Sequence, residues 1–185
     1  LAAAHPHYAS ARATLAETLA AAASWALLPG RGFADEGLAQ LDAAQRSDAQ
    51  TPGIAIHRAW LLDLAWRFGE AEQCSREAMA RTPADADVLS LHGWHCLALG
   101  QPEAAGERFR QAIALQPHAP LLQAMLARAL VHAGWLEEAL AVLQATCRDH
   151  PASAVAATFR VGLLAFTHPE VSLVDAAWEV AQRRD

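Results

Sequence analysis

Small and apolar positions recur along the middle of the chain with a period of 34 residues. Gly93, Gly100, Ala105, Phe109, Ala112 and Pro117 mark one unit. The same register one unit later holds Ala127, Gly134, Ala139, Leu143, Thr146 and Pro151, and one unit earlier Ala59, Trp66, Ala71, Ser75, Ala78 and Pro83. Each unit contains two helical patterns of roughly 13–14 residues joined at the Gly100 position. A lone helix pair cannot bury its apolar stripe, so a fixed period implies that neighbouring pairs stack. Gly93 and Ala105 are small enough to let paired helices approach closely. The prolines end each second helix by driving the preceding residue out of the α region. The units run 52–85, 86–119 and 120–153, with helices in the first expected near 53–65 and 69–81. Phe68 and Leu136 follow the turn and are expected to plug the gap between helices.

The flanks are less regular. Residues 1–9, with His5, Pro6 and His7, read as a loose lead-in whose histidines are solvated. Ser10 is the expected N-cap of a helix reaching Leu28, with Leu15, Leu19, Ala22 and Ala26 on one side. Pro29, Gly30 and Gly32 stop it. A second helix over 34–46 carries Leu38, Leu41 and Ala44, so 18–51 reads as a degenerate repeat with Trp25 at the small-residue position. After Pro151 a helix is expected over 153–166, broken at His168-Pro169. A last helix over 172–182 presents Leu173, Ala176, Ala177 and Val180 inward. Asp175, Glu179, Gln182, Arg183 and Arg184 give it a polar outer side, as a capping helix needs. Trp178 does not fit that polar side and suggests contact with a further domain. The whole is expected to be one domain, 1–185, with 154–185 as partial repeat and cap.

The residues Gly93, Gly100, Ala105, Phe109, Ala112 and Pro117, repeated in register over about 52–153, resemble the tetratricopeptide repeat (TPR) family. Departures stand at Leu89, His92 and Cys96, where the family usually has tryptophan, leucine and tyrosine. The resemblance implies an all-α fold, a right-handed α-solenoid of helix-turn-helix repeats. It also implies that first helices line a concave groove. The implied partner-binding positions are Ile56, Trp60, Asp63 and Leu64 in one unit and Asp87, Ser90, Trp94 and Leu97 in the next. The third unit supplies Leu121, Arg128, Val131 and His132. Gly53, Ala98 and Ala124 complete these positions. Some family members grip a terminal carboxylate with lysine and asparagine, and this chain has neither residue. Its groove reads instead as apolar, with Trp60 and Trp94 one unit apart. Two readings of that pair stay open: the indoles pack against adjacent helices, or they form a slot for an apolar peptide or helix. Trp135, beside a turn glycine, is expected half exposed, and Trp25 structural.

Composition narrows the partners. Of 185 residues, 54% are hydrophobic and 18% charged, with a net charge of −6. Alanine makes up about a quarter, which suits closely packed helices. A negative balance without basic runs argues against nucleic acid. The most apolar run, Leu19 to Leu28, is too short to cross a bilayer. No basic segment precedes it as a signal peptide would require, so the expected compartment is the cytoplasm. The start at Leu1 and the end at Arg183-Arg184-Asp185 fit a piece of a longer chain, which keeps the periplasm open. Cys74, Cys96 and Cys147 form no CxxC and read as reduced thiols.

Candidate chemistry is sparse. His92 and His95 lie three apart with Cys96 following, but structural zinc needs four ligands and catalytic zinc usually three. His92 is therefore expected as a hydrogen-bonded core histidine, and neither metal nor cofactor is expected. No GxSxG, Walker loop, HExxH or dinucleotide fingerprint occurs. The adjacent carboxylates Asp35-Glu36 and Glu137-Glu138 stand near helix starts, where the dipole favours them. The expected function is a non-enzymatic protein-interaction scaffold or chaperone-like adaptor holding an apolar segment of a partner. It resembles small acidic chaperones of bacterial type III secretion, and a homodimer is a further expectation. The rival reading is an accessory region of a larger bacterial enzyme, glycosyltransferase-like, or of a polysaccharide-export machine.

Overall fold

The computed structural model describes residues 7–24, 30–51 and 53–167, and among them every regular element is a helix. In order these are α1 (His7–Ser24), α2 (Gly30–Ser47), α3 (Ile54–Leu64), α4 (Phe68–Arg81) and α5 (Ala86–Ala98). They continue with α6 (Pro102–Leu115), α7 (Pro120–His132), α8 (Leu136–Asp149) and α9 (Ala154–Thr167). The all-α, TPR-like class expected from the repeat is the class found. The expected last helix over 172–182, with Trp178, lies outside the described residues, as do Trp25 and His5. The chain divides into two compact units, 1–99 and 100–185.

The helix ends follow from local chemistry. Asp85 Oδ1 caps α5 by accepting from the Asp87 and Val88 amides at 2.9 and 3.1 Å. Pro102 and Pro120 open α6 and α7, where a missing N–H costs nothing. Helices α4, α6 and α8 each stop two residues before Pro83, Pro117 or Pro151. The intervening Thr82, Gln116 and His150 take φ/ψ of −139/69°, −132/72° and −131/68°. The turns after α5 and α7 take a left-handed residue: Gly100 has φ 71° and Gly134 φ 83°. Trp66 fills the same position at φ 63°. Its backbone makes the bonds that Gly134 and Trp135 make, Trp66 N–H to Asp63 and Arg67 N–H to Leu62, at 3.0 and 2.8 Å. A bulky residue held there stores about 1–2 kcal/mol of strain.

In the first unit α3 is central, packing against α1, α2, α4 and α5. Ala13, Ala16 and Ala20 of α1 meet Ala34, Leu38 and Leu41 of α2 and Leu61 and Leu62 of α3. A second cluster joins Ile56 and Ala59 to Ala78 of α4 and Val88 of α5. Gly37 lies where α2 crosses α3: an added Cβ would stand 2.7 Å from Leu61. In the second unit α7 is central and contacts α6, α8 and α9. Its Leu122, Met125, Leu126 and Leu130 are buried, as are Phe109 of α6 and Leu143 of α8.

The N-terminal expectations need correction. Helix α1 starts at His7, inside the expected lead-in and before residue 18, and Ala9 is buried against Ala44 and Ile54. Ser10 is therefore within the helix, not its cap. The buried stripe of α1 is alanine, and Leu15 is exposed. The physical reason is proximity: small side chains let α1 lie close on α2, and a leucine stripe would hold it off. Gly32 belongs to α2, not to a turn, which puts Asp35 and Glu36 beyond its first turn. Glu137 and Glu138 do stand in the first turn of α8.

Phe109 has no exposed surface. Truncating it to alanine should cost about 3–5 kcal/mol, read as a lowered urea midpoint with unchanged slope.

Candidate functional site

The first-helix face of the first unit is built from α3 and α5. Trp60 and Trp94 are both half-buried and meet edge to face, with ring centroids 6.2 Å apart and planes at 68°. Trp60 also packs on the core beneath α3. Its indole N–H is buried and has no hydrogen-bond partner among the described residues. Leu64, one turn on, is half-buried against the same core. On α5, Asp87 is exposed, and Ser90 and Leu97 are half-buried.

Two expected face residues are instead interior. Ile56 is 2% exposed and belongs to the cluster with Ala59, Ala78 and Val88. Its register faces the gap between α4 and α5, which closes over it. Asp63 is 6% exposed because it holds His95. His95 Nδ1 lies 2.8 and 3.0 Å from the two Asp63 carboxylate oxygens, and its Nε2 lies 2.8 Å from Glu72 Oε2 of α4. Glu72 in turn accepts from Arg76 Nε at 3.0 Å. The 1%-exposed imidazole thus ties α3, α4 and α5 together.

Both ring nitrogens of His95 face carboxylates, so the imidazolium, donating from each, suits the site. Burial opposes that charge, but Asp63 and then Glu72 outweigh it and raise the His95 pKa above its ordinary 6.5. Burial also raises Asp63 above 3.8, with the His95 hydrogen bond pulling back. Both directions say that the pair retains its proton as pH rises. His92, half-buried, shares a 2.7 Å hydrogen bond with the buried Ser75 hydroxyl. Among the described residues no cluster of three or more ligands suited to a metal occurs. Cys96 is buried, and Cys74 and Cys147 are half-buried.

At the N-terminal end of the α3–α5 face lies a cavity of about 440 Å³, lined in part by Thr51, Ile56, His57, Arg81, Asp87 and Val88. His57 Nδ1 is buried there with no hydrogen-bond partner among the described residues. Burial lowers its pKa, against the pull of the Glu17 and Asp87 carboxylates. Gly53 backs this ring, and an added Cβ would stand 3.1 Å from it.

In the second unit the expected positions share a face of α7. Leu121 is 47% exposed, His132 is exposed, and Arg128 and Val131 are half-buried. Burial lowers the Arg128 pKa. Trp135 is half exposed, as expected.

Residues 97–160 match the tetratricopeptide repeat family. Over these residues the chain carries tetratricopeptide repeats. No curated protein matches it in sequence. Its fold is shared by solved TPR structures. TTC0263, a thermophilic TPR protein of Thermus thermophilus, superposes with a TM-score of 0.73 at 16% identity, covering 95% of this chain and 89% of that one. PilW, a type IV pilus biogenesis factor, gives 0.67 at 18% identity over 91% and 77%. YrrB, a TPR protein with an unusual peptide-binding site, gives 0.56 at 19% identity over 83% and 85%. TPR folds are protein-interaction modules, and that coarse role is the one the repeats support.

Sequence reasoning missed the Asp63–His95–Glu72 network and the His57 cavity. A signal for the first was present: in the 34-residue register His95 aligns with Leu61 and Ala129, and Asp63 with Leu97 and Val131. Two polar residues in apolar positions 32 apart point to each other. The cavity had no such signal.

The stability contributed by His95 is complete below pH 6.5 and is lost as pH rises through its raised pKa. The Asp63 shift has the same sign, whereas His57, lowered, weakens the fold as pH falls. Replacing His95 with leucine should cost about 3–5 kcal/mol by leaving Asp63 buried and unpaired. It should also remove the His95 part of the stability loss as pH rises above 6.5. The double variant Asp63→Leu, His95→Leu should regain much of the loss. Urea unfolding across pH reads all three.

Proposed function

We propose that the chain is a protein-interaction scaffold whose α3–α5 face holds an apolar segment of a partner protein. The observation that carries this reading is the Trp60–Trp94 pair, half open on that face, with the His57 cavity lying towards its N-terminal end. Ile56 is one helical turn before Trp60, and Asp87 two turns before Trp94, and both line the cavity. A segment lying along the face would rest on the indoles and place one side chain in the cavity. Tryptophan supplies large contact area at low entropic cost and dominates many binding interfaces. The unpaired Trp60 N–H is a donor that an entering carbonyl would satisfy. In the second unit, Leu121, Arg128, Val131 and His132 offer α7 as a separate contact surface. YrrB is described by its peptide-binding site, which accords with the same class of role. A chaperone-like or adaptor role for an exported or scaffolded client follows from an apolar grip of this kind, with catalysis left to other proteins.

The test begins with capture from the native cell by wild type and by Trp94→Ala, followed by titration of the captured segment into both. Trp94→Ala should keep wild-type helicity by circular dichroism and lose about 2 kcal/mol of binding, roughly 30-fold. An unchanged set of captured proteins, or an unfolded variant, overturns the assignment of the face.

A further inference from the structure

Trp66 is the most exposed of the large apolar side chains described, at 74%. It sits where the register puts glycine in the two following turns, and it adopts their left-handed backbone. Neither feature helps folding: glycine relieves the strain, and a polar residue avoids the exposure. A side chain kept against both costs points to a role outside the fold. Phe68 holds the indole from one side, edge to face, with centroids 5.9 Å apart.

The charge around the turn indicates the occupant. Arg67, the turn's own cation, donates from Nε and Nη2 to both Glu70 oxygens at 2.7 Å, a closed pair. Arg58 is likewise engaged with Asp42 at 2.6 Å. Asp35 and Asp42 of α2 lie near enough to act on Arg67. Residues 1–99 carry eleven carboxylates against seven arginines. An aromatic face in negative surroundings attracts a cation.

The geometry points to a second docking point at the α3–α4 turn, in which the Trp66 indole receives an arginine or lysine side chain of a protein partner. It is separate from the Trp60–Trp94 face and does not depend on it. Long-range attraction steers the basic segment, and the indole face holds the cation once there.

The test uses the full chain with ¹⁵N-labelled tryptophan and three synthetic peptides alternating alanine with arginine, glutamate or leucine. The Trp66 indole signal is assigned by its loss in Trp66→Gly. It should move with the arginine peptide alone, and the shift should shrink at high salt. Affinity should fall about tenfold in Trp66→Gly and remain at wild-type strength in Trp94→Ala. The Trp66→Gly melting temperature should be no lower than that of wild type. The proposal is overturned by an unmoved signal, by equal shifts with the glutamate or leucine peptide, or by a lower melting temperature. A signal that moves with protein concentration alone assigns the turn to a second copy and overturns it equally.

Discussion

A helix that is apolar on more than one side has to be covered on more than one side, and α3 and α7 are such helices. Each is central to its unit, and the small residues Ala59, Ala71, Ala127 and Ala139, all with at most 1% exposure, set how near the partners come. Close approach brings dispersion contacts along the whole crossing and removes room for repacking. The turns then have little freedom, because two helices held that near can be joined in few residues only through a left-handed position. Gly134 meets this demand without strain, and Trp66 meets it with strain. The conformation at residue 66 is thus imposed by packing at Ala59 and Ala71, not chosen by the local sequence.

Alanine contacts set distance but tolerate sliding. The Asp63–His95–Glu72 network supplies what they lack, because hydrogen bonds fix direction. One imidazole bonded from both nitrogens pins α3 and α4 to α5 at defined points. The same positions in other units hold Leu61, Ala129, Leu97 and Val131, so an apolar solution was open to the chain. A buried pair is weak evidence of added stability, since desolvation offsets much of the attraction. Its consequence here is a positional lock whose strength depends on one proton.

The repeat made most of the fold legible. Proline and glycine act through local backbone geometry, so Pro83, Pro117 and Pro151 located helix ends to within a residue or two, and small residues in register located the crossings. The face residues were less legible. The register says which way a position points, but whether Ile56 or Asp63 stays open depends on how far the next helix closes over it, and that distance is a tertiary quantity. The amino-terminal pair failed for a related reason. An alanine-rich segment is apolar enough to be buried on several sides, so Leu15 and Leu19 drew the stripe to the wrong face of α1. The left-handed state of Trp66 was hidden because nothing in tryptophan itself favours it.

Several features that cost free energy stand on and beside α3, although Arg12 Nε of α1 is also buried without a hydrogen-bond partner among the described residues. Along residues 53–68 lie a buried His57 nitrogen and a buried Trp60 N–H, each without a hydrogen-bond partner among the described residues, and a strained, exposed Trp66. At the corresponding turn in the second unit, Gly134 carries no strain, and Trp135 beside it is less exposed. Stability alone would have smoothed α3 as it smoothed that turn, since each substitution needed is a small one. Unsatisfied donors and strained aromatics persist where binding satisfies them, because a partner that supplies the missing hydrogen bond or covers the indole recovers the cost at the moment of association. Two such nitrogens on α3, with Trp66 at the turn that follows, are therefore a physical argument in favour of the proposed recognition by α3.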